Sequence, residues 1–184
     1  MTGTPMRTSE THPIRLDGIT IGEGQLSLTL CPGKSGSSQF GGDWDRDLQA
    51  DATRLHEEGV AYVVSLIEED EGRGLGVADL GQAIEATGMT WERFPIRDTS
   101  VPSDTDRPDF EDLLDRISAA LDDGAHVVVH CRGGLGRAGT VAASVLVRRG
   151  MAPDAAMARV RAARPGAIEN ARQEAYVADV RPAP

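Results

Sequence analysis

The stretch His130-Cys131-Arg132-Gly133-Gly134-Leu135-Gly136-Arg137-Ala138-Gly139-Thr140 constrains this chain most, because it sets a thiol, a run of glycines and a fork-shaped cation in one turn. Ala125 to Val129 before it is β-branched and reads as a buried strand, and Gly136 to Arg149 after it has the small and apolar residues of a buried helix. Cys131 therefore falls on a strand-to-helix turn. Glycines at 133, 134 and 136 are expected to take positive φ there, so that successive N–H groups converge on one centre and cradle an anion. The helix start adds its partial positive charge at the same place. These surroundings favour a thiolate at neutral pH. Arg137, six positions on, is expected to present its planar fork to two phosphate oxygens.

Other readings of the glycines fit less well. Gly134-Leu135-Gly136-Arg137-Ala138-Gly139 matches the dinucleotide fingerprint, with Asp154 at about the distance of a ribose ligand. That reading needs a strand ending in the acid, yet Pro153 to Val160 reads as the start of a helix. A Walker loop needs a lysine before Gly139-Thr140, and Lys34 is the only lysine in the chain. A glycine turn with an incidental buried cysteine would lack a reason for the flanking strand and helix.

The motif His-Cys, five residues, Arg resembles the signature of the cysteine-dependent protein tyrosine phosphatase superfamily, in particular its small dual-specificity branch. The Leu30 loop, Pro95-Ile96-Arg97-Asp98, and Gly166-Ala167-Ile168 through Gln173 and Tyr176 look like the cyclin-dependent kinase inhibitor 3 type of that branch. The resemblance implies a phosphatase acting through a cysteinyl-phosphate intermediate, on phosphotyrosine and possibly phosphoserine or phosphothreonine in proteins, without metal or cofactor. Cys131 is the expected nucleophile, and Arg132, Gly133, Gly134, Leu135 and Gly136 form the phosphate loop with Arg137. His130 orients the loop, and Gln173 resembles a residue that places the hydrolytic water.

Such chemistry needs an acid for the leaving oxygen and then a base for water. Asp98, Asp104, Asp106 and Asp109 precede the signature strand; Asp106 and Asp109 read as helix N-terminal residues. The Pro95-Ile96-Arg97-Asp98 similarity selects Asp98, with Asp104 second. One position departs from the family. Most members carry Ser or Thr after the arginine, where this chain has Ala138, as the phosphatases of regenerating liver do. Thr140 would point elsewhere on the helix. Slow turnover is implied, and a phosphoprotein-binding module with little turnover is the alternative. Sulfur transfer by a rhodanese-like domain fits the spacing less well.

Along the chain, strands and helices alternate, which predicts an α/β three-layer fold with a largely parallel central sheet flanked by helices, like that of dual-specificity phosphatases. Residues 1–12 read as a flexible tail and 13–184 as one domain. Strands are expected in Ile14 to Leu30, over Val60 to Ile67 and over Met89 to Ile96. Cys31 to Gly42 reads as a loop. Helices are expected from a cap at Asp43 or Asp45 to Glu58, over Val77 to Thr87, from Asp106 or Thr105 to Gly124, and over Ala152 to Arg164 and Ile168 to Val180. Glu68-Glu69-Asp70-Glu71 reads as a solvated loop, with a substrate-facing loop as the sharper alternative.

A net charge of −10 argues against general affinity for nucleic acid or an anionic membrane, so phosphate recognition must be local. Arg93, Arg97, Arg132 and Arg137 are the cations expected near the site. The partners expected are a phosphorylated protein or a small phosphate ester. Two cysteines make no disulfide framework, and neither a signal-like segment nor a long apolar run is present, so a cytoplasmic location is expected. Cys31 reads as an unremarkable strand-end residue, with a resolving partner for Cys131 as the sharper alternative.

Overall fold

The computed structural model describes residues 6–38 and 42–183; the first five residues of the expected tail, 39–41 of the expected loop and residue 184 lie outside them. The chain runs β1 (Asp17–Ile21), β2 (Gly24–Thr29), β3 (Ser35–Gly36), β4 (Trp44–Asp45), α1 (Leu48–Glu57), β5 (Val60–Ser65), α2 (Glu69–Gly74), α3 (Leu80–Glu85), β6 (Thr90–Arg93), α4 (Arg107–Asp122), β7 (His126–His130), α5 (Gly136–Arg148), α6 (Pro153–Ala163) and α7 (Ala171–Ala178). The main sheet has the order β1-β2-β7-β5-β6. Every pairing in it is parallel except the β1–β2 hairpin, which gives the sheet an antiparallel edge.

The central place of β7 follows from its sequence. Val127 and Val129 face one core, Val128 faces the other, and all three are fully buried. The first core holds Phe110, Leu113, Leu114, Ile117 and Leu121 of α4, the apolar side of α5, and parts of α6 and α7. The second holds Ala52 and Leu55 of α1 with Leu80 and Ile84 of α3. Each fully buried Leu or Ile contributes about 1.5–3 kcal/mol of transfer free energy. Helix α5 lies so deep that every residue from Gly136 to Val147 is buried, and any Cβ at Gly139 would press within 2.8 Å of the Ile168 nitrogen.

Several local expectations change. The cap of α1 is Asp47, which accepts from the Ala50 N–H, in place of Asp43 or Asp45. The acidic block forms the helix α2, where Glu68 and Glu71 build a capping box. The last helix starts at Ala171, because Ile168 sits at φ 61° and cannot continue a helix. Residues 7–12, expected within the tail, are tied down. Arg7 exchanges backbone hydrogen bonds with Asp43 and Asp45, and the Ser9 hydroxyl bonds to the Asp47 carbonyl.

Candidate active site

The site lies beyond the C-terminal ends of the parallel strands, where β7 delivers Cys131 and α5 begins. Cys131 is buried, and the Gly134 N–H points at its sulfur over 3.2 Å. Of the three glycines expected at positive φ, only Gly134 adopts it, at 72°, and a Cβ there would also collide with the Thr29 carbonyl. Gly136 serves for space instead, because a Cβ would run into Glu169 and Gln173. Gly133 meets neither demand.

A loop whose amides turn inward must turn its carbonyls outward, and here those of Cys131, Arg132, Gly133, Leu135 and Gly136 each meet a donor. His130 Nδ1 lies 3.2 Å from the Cys131 oxygen. The Cys31 N–H and Lys34 Nζ donate to the Arg132 oxygen, at 3.3 and 3.1 Å. Arg164 Nη2 donates to the Gly133 oxygen at 2.8 Å. The Gly139 and Ile168 N–H groups take the Leu135 oxygen, and the Thr140 hydroxyl takes that of Gly136 at 2.8 Å. Thr140 therefore turns away from the sulfur, and Ala138, fully buried, brings no hydroxyl to it.

Behind the cradle, Arg137 is fixed before any ligand arrives. Its Nη1 and Nη2 donate to the two oxygens of Glu71, both at 2.7 Å, Nη1 also donates to the Ile96 carbonyl at 3.0 Å, and Nη2 pairs with Asp98 Oδ1 at 3.0 Å. Burial works against its charge, but the Glu71 hydrogen bonds, with Cys131 and Asp98 nearby, push its pKa up, so it stays a cation. Asp98 Oδ1 also accepts the Thr99 N–H at 3.0 Å. The Asp98 carboxylate is 55% exposed and lines one cavity with Cys131; Asp104 is exposed outside it, and Asp106 and Asp109 line a separate depression.

His130 is fully buried between Ser65 and the loop. Trp91 Nε1 donates to the Ser65 hydroxyl at 2.8 Å, so that hydroxyl gives its own hydrogen to His130 Nε2 at 2.5 Å. Nδ1 then carries the ring proton and donates to the Cys131 carbonyl. Burial drives the imidazole pKa down to about 4, which keeps this tautomer neutral. Gln173, also fully buried, accepts the Glu169 N–H at 2.8 Å and donates to the Ser100 carbonyl at 3.4 Å, while Asn170 donates to the Thr99 carbonyl at 3.0 Å. Together they tie the start of α7 to the segment carrying Asp98.

Of the four arginines expected here, Arg132 and Arg137 line the cavity, whereas Arg97 is exposed outside it and Arg93 lines depressions beside α2. Lys34, Arg164 and Arg7 take their place. The sequence offered a signal for Lys34 in its being the only lysine, and the substrate-facing alternative for the acidic block touched on Glu71; nothing local marked Arg164. Burial lowers the Lys34 ammonium to about 8. Cys31 packs in the second core and Cys131 in the first, and both thiols are free.

Residues 42–151 match the family model described as "Polymorphic toxin system, DSP-PTPase phosphatase". The chain is 35% identical over 99 residues to protein tyrosine phosphatase type IVA 3 of Mus musculus, covering 54% of this chain and 56% of that one. It is 27% identical over 142 residues to cyclin-dependent kinase inhibitor 3 of Rattus norvegicus, covering 76% and 66%. It thus spans less than two thirds of either relative. Among solved structures, kinase associated phosphatase with its catalytic-site cysteine changed to serine superposes with a TM-score of 0.79 at 23% identity, covering 90% of this chain and 92% of that one.

Proposed function

The chain belongs to the DSP-PTPase phosphatase family of polymorphic toxin systems, and from that premise we propose that it hydrolyses phosphate monoesters, phosphotyrosine in proteins among them, through a cysteinyl-phosphate intermediate. The observation that carries this reading is the convergence on one cavity of the Cys131 sulfur, the Gly134 N–H aimed at it, the Arg137 fork and the Asp98 carboxyl. The Cys131 thiolate attacks phosphorus from the floor of the cradle. Loop amides and Arg137 hold the equatorial oxygens as charge spreads over them. Asp98, protonated on Oδ2, gives its proton to the departing alkoxide or phenoxide. As a carboxylate it then takes a proton from water, which attacks the phosphocysteine and releases the thiolate. His130 acts through the loop, by holding the Cys131 carbonyl. Gln173 bonds the backbone beside Asp98, and its amide stands next to Gly136, where it serves to place the attacking water. A nucleophilic thiol has to stay reduced, in keeping with a cytoplasmic setting.

The test compares two esters. Cys131→Ser should abolish hydrolysis of both while phosphate still binds, and vanadate should inhibit the wild type. Asp98→Asn should slow an alkyl or phenyl phosphate by about 10²–10⁴-fold, the usual contribution of a general acid, and a nitrophenyl phosphate far less. Equal losses on both esters would remove Asp98 as the acid, and hydrolysis surviving Cys131→Ser would remove the mechanism.

A further inference from the structure

The cavity above Cys131 is more cationic than one phosphoryl group requires. That group is served by loop amides and by Arg137, whose charge is already shared with Glu71 and Asp98. Lys34 and Arg132 line the same cavity with no ion pair among the described residues, next to Arg7 and to Arg164, whose Nη1 is already paired with Asp17. Lys34 is only 8% exposed. Its ammonium gives one hydrogen bond, to the Arg132 carbonyl, and lies 4.8 Å over the Trp44 ring. An ammonium has three donors, and no carboxylate among the described residues pairs with this one. Arg164 has Asp17 as its counter-ion through Nη1, but its buried Nε has no hydrogen-bond partner. Burying a cation without an anion is costly, and an anion arriving in the cavity offsets that cost.

We propose that Lys34, with Arg132 and the Nε of Arg164, forms a second anion subsite beside the phosphate cradle, so that the preferred substrate is a small ester carrying a second phosphate on the same compact scaffold. This rests on the phosphatase reading above. Size favours a compact molecule over an extended peptide: the cavity holds about 260 Å³, below the roughly 300–1,000 Å³ usual for ligand sites. Trp44 does not offer a stacking face, since the guanidinium groups of Arg7 and Arg46 approach its ring to 4.8 and 5.5 Å beside Lys34. It holds the cations in place instead.

The experiment is calorimetric titration of Cys131→Ser with propyl phosphate and with the bisphosphates of ethane-, propane-, butane- and pentanediol, a ruler for the distance between the two sites. One bisphosphate should bind about tenfold more tightly than propyl phosphate, the worth of one added charge-assisted hydrogen bond. Lys34→Met in the same background should erase most of that advantage. So should Arg132→Met, which leaves the Lys34 bond to the loop carbonyl intact. A soluble inositol bisphosphate and the same headgroup on phosphatidylcholine vesicles then separate a free metabolite from a lipid, and preference for either supports the subsite. Three outcomes overturn it: no bisphosphate exceeds propyl phosphate, Lys34→Met weakens mono- and bisphosphates equally, or a doubly phosphorylated peptide outbinds every small bisphosphate. If Cys131→Ser binds no phosphate ester and wild type hydrolyses none, the phosphatase reading itself falls.

Discussion

A single missing hydroxyl sets the expected kinetics. Sulfur must leave phosphorus as a thiolate in the second chemical step, and each donor aimed at it makes that easier. The Gly134 N–H is one such donor, 3.2 Å away. Position 138, where most of the superfamily places a hydroxyl, holds a fully buried Ala, and Thr140 spends its hydroxyl on the Gly136 carbonyl. One hydrogen bond to a charged acceptor is worth about 1.5–3 kcal/mol, or roughly tenfold or more in rate. Wild type should therefore show a burst of product followed by slow turnover. Ala138→Ser should raise the steady rate about tenfold and leave the burst rate nearly unchanged, as read by rapid-quench kinetics on an aryl phosphate. If the slow phase does not respond and no phosphoenzyme can be trapped, release of sulfur is not limiting. Cys131 and Arg137 stood out as candidates because they sit in one continuous stretch, whereas Ala138 stood out only through the resemblance to the superfamily.

At the scale of elements, the short helix α2 supplies the counter-ion that holds Arg137. Glu71 is 13% exposed and Arg137 1%, so the pair is largely out of water. Removing one member of such a pair costs up to about 3–5 kcal/mol when the charge left behind has no other partner, and Asp98, 3.0 Å from Nη2, keeps Glu71→Ala below that ceiling. Glu71→Ala should lower stability by part of that amount and also free the fork to rotate away from the ligand, seen as a fall in urea midpoint and in vanadate affinity. Glu71→Gln keeps one acceptor and should lose less of both. A Glu71→Ala protein with unchanged vanadate affinity would mean that Ile96 and Asp98 suffice to aim Arg137. This contact was illegible beforehand for a physical reason. Four consecutive acidic residues read as a solvated block, and only the sheet order, which sets β5 beside β7, brings α2 over the start of α5. The clamps on the loop carbonyls were hidden in the same way, since Lys34 and Arg164 reach Arg132 and Gly133 from far along the chain. The long amphipathic helices and β-branched strands were readable, because 3.6- and 2-residue periods do not depend on partners.

For the whole molecule, the sandwich of two cores around one sheet decides how the site responds to acid. β7 is covered on both faces, and the residue at its end is sealed as well: His130 has no exposed surface, and its ring is held between the Ser65 hydroxyl and the Cys131 carbonyl. Its pKa falls to about 4 from an ordinary 6.5, through burial first. An unfolded chain binds a proton at that histidine below about 6.5, whereas the folded one does not until about 4. Stability contributed by the neutral ring is therefore complete above 6.5 and is lost as pH falls toward 4, at up to about 1.4 kcal/mol per pH unit for one proton. His126, half-buried, is shifted the same way, so it adds to the slope. Paired carboxylates act lower; the Arg148 hydrogen bonds hold Asp115 below its ordinary 3.8. Urea unfolding at intervals between pH 4.5 and 7 should thus show a steady loss on acidification. His126→Gln should remove a small part of the slope and His130→Asn most of it. A flat wild-type profile across that interval, or a His130→Asn profile as steep as wild type, would mean that the ring is not held neutral by its place at the end of the central strand.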